Sequence, residues 1–379
     1  MSGGRTPGAG PGASVIAVAV AAVTALTGGV VGGFAISHRR APVAAGGPRA
    51  TIDRERVVPA VEEAAESVHS SLPAAASTPP PPPPPPSSLA PAAPPVPLPS
   101  TLRIGSLART GRGVVVRVLG GVSGSSATVE TPCGSPAAVD GLAPVGAVDV
   151  VLDPGHGGSE GGAVGFPSDG TPKVEEATIN LGVAREAQAV LNAAGITTVL
   201  TRSSDYRLPL DVRGDIAGAA HPKAFVSIHH NAEPDGPHDG PGTETYYQVA
   251  SGSSRRLAGL IEQEVVRALT MYAVAWSGDT DAGAKTRTSS SGKDYYGVLR
   301  RTAGIPAVIA ELAFVSSPPE AALLARSDVR RAEGQAVARA IVRFLRTPDE
   351  GGPFTTAYPR TEPAGSGGGS SGCINPQLT

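Results

Sequence analysis

The sequence predicts an α/β fold with a mostly parallel central sheet and helices on both of its faces. From Val148 onward, short apolar runs alternate with longer segments of helical periodicity, which is typical of a parallel sheet. Three of the apolar runs carry, at or near their ends, a residue suited to metal or acid/base chemistry. Because the carboxyl ends of parallel strands face one crevice, we expect these three residues to share one site.

The segment 1–40 predicts an export signal or a membrane anchor. Residues 14–37 contain no charged side chain, and this length is enough to span a bilayer. Arg5 precedes the apolar run and also fits a signal peptide, with a weak cleavage site after Ala35. An uncleaved anchor is favoured over a cleaved signal. In both cases the rest of the chain is expected outside the cytoplasm, either anchored to the membrane or secreted.

Residues 41–100 predict a disordered linker that is rich in proline and alanine. Its run of eight prolines, Pro79–Pro86, favours polyproline II and indicates a stiff stalk. A proline-rich ligand for a partner domain is the alternative. Residues 101–145 then alternate apolar and polar side chains between glycine and serine turns, which predicts a small β-rich segment of two to four strands. We expect this segment to pack against the main domain.

The main domain is predicted at 146–347, a length that supports one proper core. Gly195 stands where a glycine commonly ends a helix. The tail 348–379 is rich in glycine, serine and proline and is expected to be flexible. The predicted strands lie at 148–153, 196–200, 224–229, 243–249 and 305–311, and the predicted helices at 177–194, 210–220, 253–269, 319–325 and 329–345.

Charge and cysteine content narrow the class of protein. The net charge is −2, and no long basic run or basic-aromatic stripe points to a nucleic-acid partner. The only cysteines, Cys133 and Cys373, flank the main domain. In an exported protein such a pair is a candidate disulfide, with two free thiols as the alternative. We expect a monomer.

Three residues carry the candidate chemistry. His156 lies between two glycines, which let the backbone turn tightly and leave the imidazole accessible. His229 closes an apolar strand, and His230 should point to the opposite face, so at most one of the two enters a site. Glu311 follows an apolar run, where a carboxylate is costly to bury unless it is paired, protonated or close to a metal.

Two histidines and one glutamate, with a fourth position open, form the donor set of a catalytic zinc site. A second glutamate that does not bind the metal can then move a proton, and Glu311 suits that role. Glu175 and Glu176 precede the first helix, where the helix dipole alone would explain an acidic residue. A buried structural histidine would similarly explain His229 taken alone.

Several motifs between 148 and 346 together resemble one known family. They are LDPGHGG, EATINL, LTR, SIHHN, GTETYY, KDYYGVLR and AELAF. The segment is similar to the zinc-dependent N-acetylmuramoyl-L-alanine amidases of the amidase-3 type, which cleave bacterial peptidoglycan. The resemblance implies Zn²⁺ as cofactor, peptidoglycan as substrate and an association with the cell wall.

The resemblance also assigns roles to residues. It implies metal ligands at His156, Glu176 and His229 and a catalytic glutamate at Glu311; the spacing of EATINL matches from Glu176 and not from Glu175. We further expect Asn231 and Arg300 to bind substrate.

Two departures from the family pattern lie near the catalytic glutamate. They are Ala313 in place of glycine and Ser317 in place of asparagine; both are conservative enough for activity to be retained, although they could alter substrate fit. The short segment 233–242 leaves no room for a long inserted helix that blocks the site. A zinc peptidase acting on another cell-wall amide is one alternative function. A non-catalytic, amidase-like regulator that binds the wall is another, although such a protein should lack a ligand.

Overall fold

The computed structural model describes residues 101–356 and 369–379. The predicted export segment and the proline-rich linker lie outside these residues. Within the described ranges, no helix is both long enough and apolar enough to cross a membrane.

The described chain forms two larger sheets, two small two-stranded sheets and several helices. The strands are β1 (Leu107–Arg109), β2 (Val115–Ser123), β3 (Ser126–Glu130), β4 (Pro136–Val139), β5 (Ala143–Pro144), β6 (Val150–Pro154), β7 (Val164–Gly165), β8 (Val174–Glu175), β9 (Thr198–Leu200), β10 (Ala224–Asn231), β11 (Gly236–His238), β12 (Glu244–Tyr247), β13 (Trp276–Gly278), β14 (Gly283–Lys285) and β15 (Ala307–Phe314). The helices are α1 (Glu176–Ala193), α2 (Leu210–Ala220), α3 (Gly252–Leu269), α4 (Gly297–Arg301), α5 (Pro318–Leu324) and α6 (Ser327–Arg346).

The central sheet has six strands in the order β14-β12-β15-β10-β6-β9. Strands β9, β6, β10 and β15 run parallel, whereas β12 pairs antiparallel with β15. The sheet is therefore mixed, with one antiparallel pair among mostly parallel ones. The reversal follows from the connection: the chain returns from the end of β10 to β12 without a helix, and parallel strands need a longer crossover.

Helices cover both faces of this sheet, and alternate strand residues enter two separate cores. Val150 and Leu152 of β6 lie in the core formed with α1, α3 and α6. Val151 points the other way, into the core formed with α2 and α4. Burial on both sides explains why the central strands read as continuous apolar runs.

The segment before the main domain forms a five-stranded sheet in the order β4-β3-β2-β1-β5. Its apolar residues, among them Val116, share one core with Val212 and Ile216 of α2. Arg117 of β2 also pairs with Asp215 of α2 at 2.9 Å. The expectation that this segment packs against the main domain is confirmed, although it has five strands rather than two to four.

Two catalytic candidates lie within strands rather than at their ends. Strand β10 continues past His229 to Asn231, and β15 continues past Glu311 to Phe314. The apolar side chains after Glu311 remain buried, which keeps that part of the chain in the sheet.

The described parts of the C-terminal tail return to the domain. Cys133 and Cys373 form a disulfide, with Cα atoms 5.7 Å apart. Close to it, the carbonyl of Gly372 accepts a hydrogen bond from Ser159 Oγ at 2.8 Å. Phe354 pairs with Ala284 of β14. Composition predicted a flexible tail, whereas residues 348–356 and 369–379 contact the main domain.

Candidate active site

Three potential metal ligands converge from three different elements. His156 follows β6, Glu176 begins α1, and His229 lies in β10. Glu176 touches both histidines: its Oε2 lies 3.0 Å from His156 Nε2, and its Oε1 lies 2.9 Å from His229 Nδ1. The three donor atoms lie within 4.8 Å of one another, close enough to hold one metal ion.

Glycines allow this close approach. A Cβ atom at Gly155 would lie 2.2 Å from Cε1 of His229. At Gly162, where φ is +74°, a Cβ atom would lie 2.4 Å from Oε2 of Glu176. There is therefore no room for a side chain at Gly155, beside His229, or at Gly162, beside Glu176. His156 itself has φ of 60°, an uncommon backbone conformation for a residue other than glycine.

Two buried arginines hold the backbone that carries His156. Arg202 donates hydrogen bonds to the carbonyls of Pro154 and Gly155, and Arg213 donates to those of Pro154 and His156, each at 2.9 Å. Arg213 also pairs with buried Asp153. The sequence analysis did not assign these arginines. The available signal was Asp153, because a carboxylate in an otherwise apolar strand requires a buried partner.

A polar network behind Glu176 fixes this ligand. Asn180 lies one turn further along α1, and its Nδ2 donates to Glu176 Oε1 at 3.2 Å. The Oδ1 of Asn180 lies 2.7 Å from Nδ1 of His230, whose Nε2 lies 3.3 Å from Glu333 of α6. His230 is thus buried on the other side of the strand. This placement agrees with the expectation that His230 points to the opposite face of the strand from His229.

The electrostatic environment prepares the ligands for a cation. Burial alone would raise the pKa of Glu176, but hydrogen bonds from His156 and His229 hold it well below its usual range. Burial lowers the pKa of His229, which favours the neutral imidazole that binds metals. Burial alone would lower the pKa of His156. The contacts with Glu160 and Glu176 outweigh this effect and raise the pKa to about 9. Binding of a metal would displace that proton.

Glu311 lies beside this cluster. On β15 it pairs in register with His229 of β10 on one side and with Glu244 of β12 on the other. Burial raises the pKa of Glu311 well above its usual range, and the charges of Glu176 and Glu244 add to the shift. Glu311 can therefore hold a proton that an ordinary glutamate would release.

A cavity of about 440 Å³ opens over the cluster and includes His156, His229 and Glu311 in its wall. Arg300 also lines this cavity, so its predicted role as a substrate contact stays a prediction. Asn231 does not line it. Its Nδ2 donates to Glu244 Oε2 at 2.6 Å, and its Oδ1 accepts from the backbone of Ala232. The expected substrate contact at Asn231 is therefore not supported. The rest of the wall comprises Asp153, Glu160, Leu208, Leu210, Arg213, Ser227, Tyr295, Tyr296, Gly297, Val298 and Ile309.

The two departures from the family pattern lie away from this cavity. Ala313 is buried in the apolar core. Ser317 places its hydroxyl 3.1 Å from that of Ser277. Neither lines the cavity, so the expected effect on substrate fit is not supported. Between β10 and β12 the chain forms only the short strand β11 and no helix, as expected.

Comparison with known proteins identifies the family. Residues 150–343 match the Amidase_3 family model, described as N-acetylmuramoyl-L-alanine amidase. The chain belongs to this amidase family. This chain is 30% identical over 205 residues to the N-acetylmuramoyl-L-alanine amidase LytC of Bacillus subtilis, a match that covers 54% of this chain and 36% of LytC. It is 30% identical over 226 residues to the N-acetylmuramoyl-L-alanine amidase AmiC of Neisseria meningitidis, which covers 52% of this chain and 53% of AmiC.

Solved structures also resemble part of this chain. Cwp6 from Clostridium difficile is 30% identical, with a TM-score of 0.46, over 53% of this chain and 30% of Cwp6. The matches thus span about half of this chain, and between 30% and 53% of the length of LytC, AmiC and Cwp6.

Proposed function

We propose that this protein uses zinc to hydrolyse the amide bond between N-acetylmuramic acid and L-alanine in bacterial peptidoglycan. The observation that carries the proposal is the convergence of His156, Glu176 and His229 with Glu311 at one cavity. Two imidazoles and one carboxylate are the donor set typical of a catalytic zinc site, so the residues present fit this metal.

His156, Glu176 and His229 would hold the ion. The chemistry that zinc supplies at such a site is to lower the pKa of a water molecule to about 7 and to polarise a carbonyl. Glu176 supplies a negative charge and, through its contacts with both histidines, fixes their rings relative to each other. Asn180 and the two buried arginines keep these side chains and their backbone in place.

Glu311 acts as the proton carrier. Its carboxylate takes a proton from the water that attacks the amide carbonyl and then delivers it to the nitrogen of the leaving L-alanine. The two glutamates of the site have pKa values shifted in opposite directions, a pattern that separates a permanently charged residue from an acid/base residue. Glu176 is therefore the ligand, and Glu311 exchanges the proton.

The wall of the cavity suits the groups on either side of the scissile bond. Leu208, Leu210 and Ile309 offer an apolar surface for the methyl groups of the lactyl and alanyl units. Arg300 offers a cation for a carboxylate of the stem peptide. The guanidinium of Arg300 is held by the backbone carbonyls of Asp294 and Tyr295, which orients it at the rim.

We further propose that the protein acts outside the cytoplasmic membrane, at the cell wall. A relative that is 28% identical over 200 residues is named probable cell wall amidase LytH of Staphylococcus epidermidis. The disulfide between Cys133 and Cys373 fits an oxidising compartment outside the cytoplasm. Residues 14–37 would provide the anchor or the cleaved signal.

Digestion of purified peptidoglycan, followed by mass spectrometry, tests the bond that is cut. We expect intact stem peptides with a free L-alanine amino group, and glycan strands with a free lactyl carboxylate. A chelator should stop the release and added zinc should restore it. His229→Ala should be inactive, whereas Glu175→Gln, which changes a neighbouring exposed glutamate, should be active.

Two results would contradict the proposal. Cleavage at another amide would indicate a zinc peptidase. Binding to the wall without cleavage, in a protein that retains zinc, would indicate a regulator.

A further inference from the structure

The residues after His156 form a closed turn that brings Glu160 back towards the histidine. The backbone N–H of Gly157 donates to the carbonyl of Glu160 at 2.7 Å, and the N–H of Glu160 donates back to Gly157 at 3.2 Å. As a result, Glu160 Oε1 lies 3.4 Å from His156 Nδ1. The sequence analysis gave Glu160 no role.

The imidazole of His156 therefore faces two carboxylates, one on each side. Its Nε2 faces Glu176 and so points towards the other metal donors. Its Nδ1 is buried and makes no well-formed hydrogen bond, since the distance to Glu160 is that of an ion pair. Among the described residues, Glu160 is the carboxylate within ion-pair distance of this nitrogen.

We propose that Glu160 is a positioning residue that fixes the tautomer and the ring orientation of His156 for the metal. By accepting a hydrogen bond from Nδ1–H, Glu160 would keep the proton on Nδ1 and leave the lone pair of Nε2 free to bind. Carboxylates behind metal-bound histidines act in this way and also make the imidazole a stronger donor. The inference rests on the proposed zinc site and adds a residue to it.

The disulfide-bonded tail braces the same turn from outside. Ser159, adjacent to Glu160, donates to the carbonyl of Gly372, and Arg207 donates to that of Ser371 at 2.9 Å. Gly158 donates to Asp205 at 2.7 Å. A positioning group must itself be held in place, and these contacts supply that support.

The test is the affinity of the full chain for zinc, measured by competition with a chelator. Glu160→Gln keeps the size of the side chain and removes its charge. We expect it to weaken zinc binding about 10- to 100-fold. The thermal midpoint of the metal-free protein should fall only slightly, because the pair of Glu160 with His156 is partly exposed and screened by solvent. Glu175→Gln is the matched control and should bind zinc as the wild type does, since Glu175 pairs with Lys173 at the surface.

Each other outcome would overturn the role. Equal zinc affinity in the wild type and Glu160→Gln would exclude positioning; if KM rose as well, Glu160 would be assigned to substrate binding. A matching fall in the midpoint of the metal-free variant would show a merely structural residue. If the wild type itself took up no zinc, the proposed zinc site would fail together with this role. That result is recognisable because the wild type, Glu160→Gln and Glu175→Gln would all fail to bind zinc.

Discussion

At the scale of single residues, two glutamates of the site differ because their neighbours differ. Glu176 lies between two imidazoles, which stabilise its charge. Glu311 is half-buried, and the desolvation of its carboxyl group together with two nearby carboxylates destabilises its charge. In the proposed mechanism one amino-acid type would therefore supply both the metal ligand and the proton carrier, because the surrounding charges shift the pKa of each glutamate in opposite directions.

Replacing Glu311 by glutamine should separate catalysis from metal binding. The amide cannot carry the proton, so we expect the rate of stem-peptide release to fall about 10²- to 10⁴-fold. Zinc content should stay at the wild-type level, because Glu311 is not among the three clustered donors. Metal analysis and a release assay on the same preparation provide the check. Full activity in this variant would exclude Glu311 as the proton carrier.

A single methyl group at Gly155 should disrupt the site. The alanine Cβ would overlap His229, so we expect Gly155→Ala to displace the imidazole and lose most zinc affinity. Gly218→Ala is the control, because no heavy atom lies within 4 Å of a Cβ atom there. It lies in α2, where alanine should stabilise by up to about 1 kcal/mol. Zinc titration and thermal unfolding would check both; normal zinc binding in Gly155→Ala would contradict the steric argument.

Sequence reasoning located some site residues and missed others for physical reasons. His156 and Glu311 stand out locally, because a histidine between glycines and a carboxylate within an apolar run are unusual. Glu176 required the family resemblance, since a glutamate at a helix start is ordinary. Asn231 was assigned to substrate, but its partner Glu244 comes from a strand whose antiparallel position was not predicted.

At the scale of elements, the packing of α3 on β12 buries a carboxyl group away from the cavity. Glu262 of α3 accepts a hydrogen bond from Thr245 of β12 at 3.1 Å. Burial raises the pKa of Glu262 to about 8, and the charge of Glu244 contributes to the shift. This helix therefore carries a group that is protonated in the folded protein at pH values where the unfolded chain has lost the proton.

This shift predicts a pH dependence of stability. The pKa of Glu262 is higher in the folded protein than in the unfolded chain. Its contribution to the free energy of unfolding is therefore fully present below pH 4.5, the ordinary pKa of glutamate, and is lost as the pH rises to about 8. Relative to Glu262→Gln, the wild type should lose free energy of unfolding across this window. Urea unfolding of both proteins at several pH values gives the difference. A difference that does not change with pH would contradict the buried acid.

Longer elements followed from the sequence more closely than short ones. Helix α2 occupies 210–220 as predicted, and α1 begins one residue before its predicted start. In contrast, the five-residue helix α4 and the three-residue strands β11, β13 and β14 were not predicted. Such elements are shorter than the window in which a hydrophobic period can be recognised, and tertiary contacts determine them.

At the scale of the whole described chain, the small sheet and the main domain share one core. A disulfide also joins the small sheet to the C-terminal tail. Cys133 lies just after β3, and Cys373 lies in the tail that braces the turn after His156. The bond thus connects the small sheet, the tail and the edge of the active site.

Removing this bond should destabilise the protein and weaken the site. We expect Cys133→Ser to lower the free energy of unfolding by about 2–5 kcal/mol. Zinc binding should weaken as well, because the tail would no longer brace the turn that carries Glu160. Denaturant unfolding and zinc titration, with and without a reducing agent, check this. If reduction changed the wild type in neither measurement, the tail would have no bracing role.

The same disulfide has a consequence for proteolysis. Cys133 and Cys373 are 240 positions apart, and the main domain lies entirely between them. The domain is therefore part of a covalent ring. A protease that cut once within the ring, for example in the exposed turn at 289–293, would open it without releasing either piece. The nicked chain would stay one covalently linked molecule until reduction, with the three proposed metal ligands on one piece and Glu311 on the other.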